Sequence, residues 1–249
     1  MATLRLDGKK VFIQEEIGDA PAADILLIHG AGMNHELWKR SLAPLARAGR
    51  RVFAIDLPGH GESKGPALET IAEMADLVVR VIAGLGLKRP RLAGHSMGSL
   101  VALEATARLA WEVEGLALLG FVPEMRVDAK LIAEAKREPE AAARRLLRAS
   151  YADTSHAPMF WNLFMNAPDA FETDLIACNE YAGADTAARA VRCPTLLLLG
   201  EKDRLTPAAQ GRLFIGKFAD ARLALLPEAG HLMILEEPEV TRAAMLTVL

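Results

Sequence analysis

The sequence predicts an α/β fold, a mostly parallel sheet flanked by helices, and three observations predict it. Short apolar runs alternate along the chain with amphipathic stretches of helical spacing. Most of those runs are apolar at every position, as strands buried on both faces must be, whereas a half-solvated antiparallel strand would alternate. The alternation breaks once, over 124–188, where no convincing strand occurs and residues rich in Ala, Glu, Arg and Met keep a helical period. The expected organisation is one α/β core, 1–121 with 189–249, interrupted by a helical cap at 122–188. A length of 249 residues suits one such domain and its insertion.

Taken in order, an opening pair of strands joined across Asp7-Gly8-Lys9-Lys10 reads as an antiparallel hairpin, its second strand centred on 11–13. Strands follow at 25–28, 52–55, 91–93, 116–119, 195–199 and 223–226, all of strand length and without polar interruption on one face. Helical spacing covers 35–48, 68–84, 97–109, 207–218 and 238–248. Pro207 and Pro238 suit first helical turns, where a missing N–H costs nothing. A cap inserted after one strand of a parallel sheet lies over the carboxyl ends of the strands, which is where open α/β folds bind ligands.

Composition narrows the function. Lys and Arg number 29 against 32 Asp and Glu, a net charge of -3, so there is no electrostatic case for nucleic acid or an anionic membrane as partner. Charges break the apolar run of the amino terminus before a signal-peptide core forms, and no apolar stretch nears the roughly 20 residues of a spanning helix. Cys178 and Cys193 lack metal-ligand spacing and cannot make a disulfide framework. A cytoplasmic protein acting on a small molecule is expected.

The strongest chemical signal is Gly94-His95-Ser96-Met97-Gly98, between the apolar run 91–93 and the helical pattern that follows. A serine on a sharp strand-to-helix turn is exposed at the sheet edge, and glycines two residues to either side let strand and helix approach around it. The N–H of Met97, at the positive end of that helix, is then aimed at a developing oxyanion. Serine needs a base to take its proton. His231, in Glu228-Ala229-Gly230-His231 directly after the last strand run, sits on a loop from which an imidazole reaches across the carboxyl edge. The base in turn needs a carboxylate to fix its tautomer. Asp203, delivered by Gly200-Glu201-Lys202-Asp203 after a buried strand, fills that role, with Glu201 and Glu124 as alternatives. His29-Gly30-Ala31-Gly32, after the strand at 25–28, leaves the Ala31 N–H open as a second oxyanion donor. No Gly-x-Gly-x-x-Gly and no Lys-containing phosphate loop follows that turn, which argues against nucleotide binding.

These segments, with Asp56-Leu57-Pro58-Gly59-His60-Gly61-Glu62-Ser63, resemble the α/β-hydrolase superfamily along nearly the whole chain, the cap excepted. The resemblance is to capped serine hydrolases such as small carboxylesterases and enol-lactone hydrolases. It implies a twisted eight-stranded sheet and an acyl-enzyme mechanism with no metal and no organic cofactor. The functional positions it implies are Ser96, Asp203, His231 and the Ala31 and Met97 amides, and it gives the 56–63 loop a structural part. Haloalkane dehalogenases and related epoxide hydrolases carry aspartate where this chain has Ser96, and meta-cleavage carbon–carbon hydrolases often carry tryptophan where it has Leu232.

An ester or lactone is the expected substrate, with carbon–carbon hydrolysis as an alternative on the same triad and a non-enzymatic ligand receptor as an alternative of a different class. Met125, Met159, Phe160, Trp161, Phe164 and Met165 offer apolar surface in the cap. Trp161 and Met165, four residues apart on one helical face, are candidates for the substrate pocket, with Met33 approaching from the core side.

Overall fold

A computed structural model describes residues 2–6, 8–19, 21–153, 161 and 167–249. In chain order its first half runs β1 (Ala2–Leu6), β2 (Lys9–Ile17), β3 (Ala23–Ile28), α1 (Lys39–Arg47), β4 (Arg50–Ile55), α2 (Ile71–Gly84), β5 (Arg91–His95), α3 (Met97–Leu109) and β6 (Gly115–Leu119). Among the described residues the helices α4 (Ala129–Arg137), α5 (Pro139–Ser150), α6 (Pro168–Glu180) and α7 (Ala184–Ala190) follow. The chain closes with β7 (Thr195–Gly200), α8 (Ala208–Phe214), β8 (Ala221–Leu226), α9 (Met233–Glu236) and α10 (Pro238–Met245).

The strands form one eight-stranded sheet in the order β1-β2-β4-β3-β5-β6-β7-β8. β1 pairs antiparallel with β2, and β2 with β4; every other neighbour is parallel. Burial follows position. β7, flanked on both sides, is buried at every residue, whereas β1, at the edge, alternates between half-buried and exposed. Each of Leu196, Leu197, Leu198 and Leu199 is at most 3% exposed, and burying a leucine side chain contributes about 1.5–3 kcal/mol.

The helix boundaries depart from the spacing, and at the starts of two helices the reason is local. The helix expected from residue 68 begins at Ile71, because Thr70 accepts from the Glu73 N–H and the Glu73 carboxylate accepts from the Thr70 N–H, a capping box. The stretch 35–48 opens as a 3-10 turn over His35–Trp38, capped by the Asn34 side chain, before α1 takes over. Pro207 is the residue before α8 and has extended ψ, while Pro238 does occupy the first turn of α10.

The parallel strands all deliver their carboxyl ends to one edge. The turns after β3, β5 and β7 there carry His29, Ser96 and Asp203 respectively. Helices α4, α5 and α6, from the connection between β6 and β7, pack on one another, and α6 also touches α3. Among the described residues no helix is long and apolar enough to cross a membrane.

Candidate active site

β5 ends at His95 and α3 begins at Met97, so Ser96 alone turns the chain, at φ 54° and ψ -123°. A non-glycine residue held there stores on the order of 1–3 kcal/mol, which the surroundings must offset. The Ser96 N–H donates to the Leu119 carbonyl of β6 at 2.9 Å, and Ser99 donates from both its N–H and its hydroxyl to the Ser96 carbonyl, at 2.8 and 2.6 Å. The flanking glycines are needed for approach. A Cβ on Gly94 would lie 1.9 Å from the Gly98 carbonyl oxygen, and one on Gly98 would lie 2.4 Å from the carbonyls of Ile28 and His29.

His231 and Asp203 meet as expected from their positions in the chain. The Nδ1 of His231 lies 2.8 Å from Asp203 Oδ2, and both residues are nearly buried. With the Nδ1 proton directed at the carboxylate, Nε2 is left as the basic nitrogen. The other carboxylate oxygen, Oδ1, accepts from the N–H groups of Leu205 and Thr206 at 2.8 and 2.9 Å. Thr206 also donates its hydroxyl to Oδ2 at 2.5 Å and stands 3.1 Å from His231 Nδ1. Burial by itself raises the Asp203 pKa, but the neighbouring His231 and the hydrogen bonds from His231 and Thr206 outweigh it and hold the acid below its ordinary value.

The backbone around His231 is pinned from two sides. Its N–H donates to the Ser150 carbonyl at the end of α5, 2.7 Å, and its carbonyl accepts from His95 Nε2, 2.8 Å. Gly230 serves close approach, not an unusual φ: a Cβ there would lie 2.5 Å from the Ala152 nitrogen. The alternative acids are elsewhere engaged. Glu201 is exposed and paired with Arg212, and Glu124 is exposed and paired with Arg126.

The turn after β3 lies against the serine. A Cβ on Gly30 would be 3.2 Å from Ser96 Cβ. His29 Nδ1 donates to the Gly30 carbonyl at 2.8 Å while Nε2 accepts from the Leu57 N–H at 3.1 Å, a pattern only the neutral ring can make. Met97, as the first residue of α3, has an N–H that no helical carbonyl satisfies.

Burial holds two histidines of this layer neutral. Burial first, then the nearby His60, lowers His29 to about 4, and burial followed by His231 lowers His95 to about 3. Both rings are expected to stay uncharged in proton NMR down to about pH 5, and a resonance of either titrating near 6.5 would contradict this. The unfolded chain takes up those protons from about pH 6.5. Between 6.5 and 4 it therefore binds more protons than the folded one, and these two residues make stability fall as pH falls.

Ser96, His231 and Ala31 line one cavity of about 270 Å³. Its remaining wall is mainly apolar, from Met33, Met125, Leu131, Leu146 and Leu175, with Arg126, Asp128 and Arg204 as polar members. Of the weaker candidates, Met33 is in the wall. Trp161 is not among the lining residues: it packs against the core with the Arg144 guanidinium 3.8 Å above its ring. Met165 lies outside the described residues, as do Met159, Phe160 and Phe164. Among the described residues no group of three or more His, Cys, Asp or Glu side chains is placed to hold a metal ion.

Sequence reasoning did not single out Thr206, Ser150 or Asp174. An Asp with Thr three residues on is a turn signature that would have found Thr206. Ser150 acts through its carbonyl, which leaves no trace in residue type.

With this geometry in place, comparison with known proteins decides the family. A family model described as the alpha/beta hydrolase family matches residues 25–244. The chain belongs to the α/β-hydrolase family. This α/β hydrolase is 30% identical over 249 residues to the pimeloyl-[acyl-carrier protein] methyl ester esterase of Chromobacterium violaceum, a match covering 92% of the chain and 94% of the relative. It is also 30% identical over 262 residues to the dihydrolipoyllysine-residue acetyltransferase component of the acetoin cleaving system of Pseudomonas putida. That match covers 94% of the chain, which spans only 65% of that relative's length. Among solved structures, the enol-lactonase from Burkholderia xenovorans LB400 superposes with a TM-score of 0.89 at 22% identity, over 99% of both chains, and shares the fold. The α/β hydrolase is thus an enzyme of the hydrolase class on the eight-stranded, mostly parallel sheet of its family.

Proposed function

We propose that this α/β hydrolase cleaves a small or medium apolar carboxylic ester through an acyl-enzyme intermediate, with Ser96 as nucleophile, His231 as base and Asp203 as orienting acid. The observation that carries the proposal is one cavity wall shared by a strained Ser96 and by His231, whose ring is already bonded to Asp203.

In the first half of the cycle, His231 Nε2 takes the Ser96 hydroxyl proton as the oxygen attacks the ester carbonyl. The carbonyl oxygen becomes an oxyanion and accepts from the N–H groups of Ala31 and Met97; removing one such donor costs about 2.7–4 kcal/mol of transition-state stabilisation in other enzymes. Collapse expels the alcohol, which takes the proton from His231, and leaves the acyl group on Ser96. Water enters, gives its proton to the same nitrogen, attacks the acyl carbonyl, and releases the acid. Asp203 stabilises the imidazolium formed twice in each turnover. No organic cofactor has a step in this cycle.

The stretch 122–188 acts as the cap. Met125, Leu131, Leu146 and Leu175 from it give the cavity its apolar wall, and its volume suits a short or medium acyl chain. The substrate is a small-molecule ester or lactone, and the free, buried thiols of Cys178 and Cys193 accord with a cytoplasmic setting.

The test is a series of p-nitrophenyl esters of increasing acyl length. The expected profile rises from acetyl to a medium chain and falls once the chain outgrows the cavity. Turnover of lactones without turnover of any ester in the series would move the substrate to the cyclic class. Binding of both with turnover of neither would replace the enzyme by a receptor.

A further inference from the structure

A buried acid on the cap helix α6, which has no part in the cycle above, reaches the turn that carries Ala31. Asp174 is 0% exposed. Its Oδ2 accepts from the Gly32 N–H at 2.8 Å and lies 2.8 Å from His60 Nε2. The opposite ring nitrogen, His60 Nδ1, lies 3.0 Å from the Pro58 carbonyl. A carbonyl only accepts, so Nδ1 carries a proton, and Nε2 faces the carboxyl group. Burial pushes His60 down, but Asp174 outweighs it and raises the ring above its ordinary pKa. Asp174 Oδ1 has no hydrogen-bond partner among the described residues, so the acid is committed through one oxygen to these two contacts.

The same helix grips the turn at a second point. Gly32 has φ 66°, and a Cβ on it would lie 2.8 Å from the Phe171 ring, one helical turn before Asp174. One residue and one turn further on, Leu175 and Cys178 line the cavity. Helix α6 therefore forms a wall of the cavity and also holds the peptide plane that follows Ala31. A hydrogen bond on the Gly32 N–H fixes that plane and the ψ of Ala31; the Ala31 N–H lies in the preceding plane, whose Gly30 carbonyl is held by His29 Nδ1 and the Met33 N–H, so the two anchors together place Ala31 in the turn. With the Gly32 anchor lost, the turn is held from its amino-terminal side alone, and a donor that shifts off the line to the oxyanion stabilises it less.

We infer that Asp174 is a positioning residue for the reaction: held by His60, it fixes the turn at Gly32 so that the Ala31 N–H stays directed at the oxyanion. The inference rests on the proposed roles of Ser96 and Ala31.

The experiment compares Asp174→Ala and Asp174→Asn with wild type, well below their melting temperatures, on a p-nitrophenyl ester. Asparagine keeps an acceptor for the Gly32 N–H, and alanine does not. Asp174→Ala is expected to lower kcat at least about tenfold with KM little changed. Its affinity for a boronic acid, which forms a tetrahedral adduct on serine, is expected to fall in step, while affinity for the product carboxylic acid holds. Asp174→Asn is expected to restore most of kcat. If Asp174→Ala does not fold, Asp174→Leu, which fills the space without accepting a hydrogen bond, takes its place. An unchanged kcat in the folded alanine or leucine variant overturns the inference, as does equal loss of boronate and product binding or failure of asparagine to rescue. Ser96→Ala is assayed alongside. Turnover by that variant refutes the proposed nucleophile, whereas an inactive Ser96→Ala beside a fully active Asp174→Ala refutes only the role of Asp174.

Discussion

Ser96→Ala is expected to lower kcat by roughly 10⁴-fold or more, the loss seen when the nucleophile of a triad is removed. Without the hydroxyl no acyl-enzyme forms, and what survives is the modest acceleration from the amide donors and substrate binding. The substitution should spare the fold. Ser96 sits at φ 54° for backbone reasons, its main-chain bonds to Leu119 and Ser99 do not involve its own hydroxyl, and alanine demands no more room. The measurement is the initial rate on a p-nitrophenyl ester at equal enzyme concentration, with circular dichroism showing equal folding. Activity within tenfold of wild type would remove Ser96 from the mechanism.

Asp203→Asn is the second large effect, expected at about 10²–10⁴-fold in kcat. The asparagine amide can offer an N–H to His231 Nδ1 where the carboxylate accepted one. The imidazole then takes the other tautomer, with its proton on Nε2 and no lone pair for the serine. Leu205 and Thr206 direct the change, because their N–H groups donate to Oδ1 and hold the amide oxygen there, which turns the NH2 group toward His231. A stability effect accompanies the kinetic one. The folded pKa of Asp203 is depressed, so its contribution is present above the unfolded value of about 3.9 and is lost as pH falls through the folded value. Wild type is expected to lose that part of its stability in strong acid, and Asp203→Asn to lack it at every pH. Urea denaturation of both proteins at neutral and acidic pH measures it. A variant with wild-type kcat would show that another acid orients the base, although Glu201 and Glu124 are exposed and already paired.

The legible parts of this protein were those where one segment is enough. β3, β5, β6 and β7 are buried on both faces, and burial forces an unbroken apolar run that can be read directly. β2 extends from Lys9 to Ile17, well past the expected 11–13, because Gln14, Glu15 and Glu16 are strand residues by virtue of pairing with Phe53 and its neighbours in β4, and nothing in their polarity signals it. The Ser96 turn was legible because its glycines are dictated by contacts within the motif and with the adjacent strand. Asp203 and His231 were legible by position after successive strands. Asp174 was not. Its partners Gly32 and His60 lie far away in the chain, and a lone acid on a helix carries the same local signal as a solvated one. That Trp161 does not line the cavity was not legible for a similar reason, since four-residue spacing to Met165 does not say what either side chain meets.

The most direct measurement is covalent. The enzyme is treated with a phosphonate ester bearing a good leaving group, and the adduct is located by mass spectrometry of its peptides. One adduct is expected, on the peptide containing Ser96, formed much more slowly by His231→Ala and absent from Ser96→Ala. An adduct on any other residue, or continued ester hydrolysis with no adduct at Ser96, would contradict the acyl-serine mechanism.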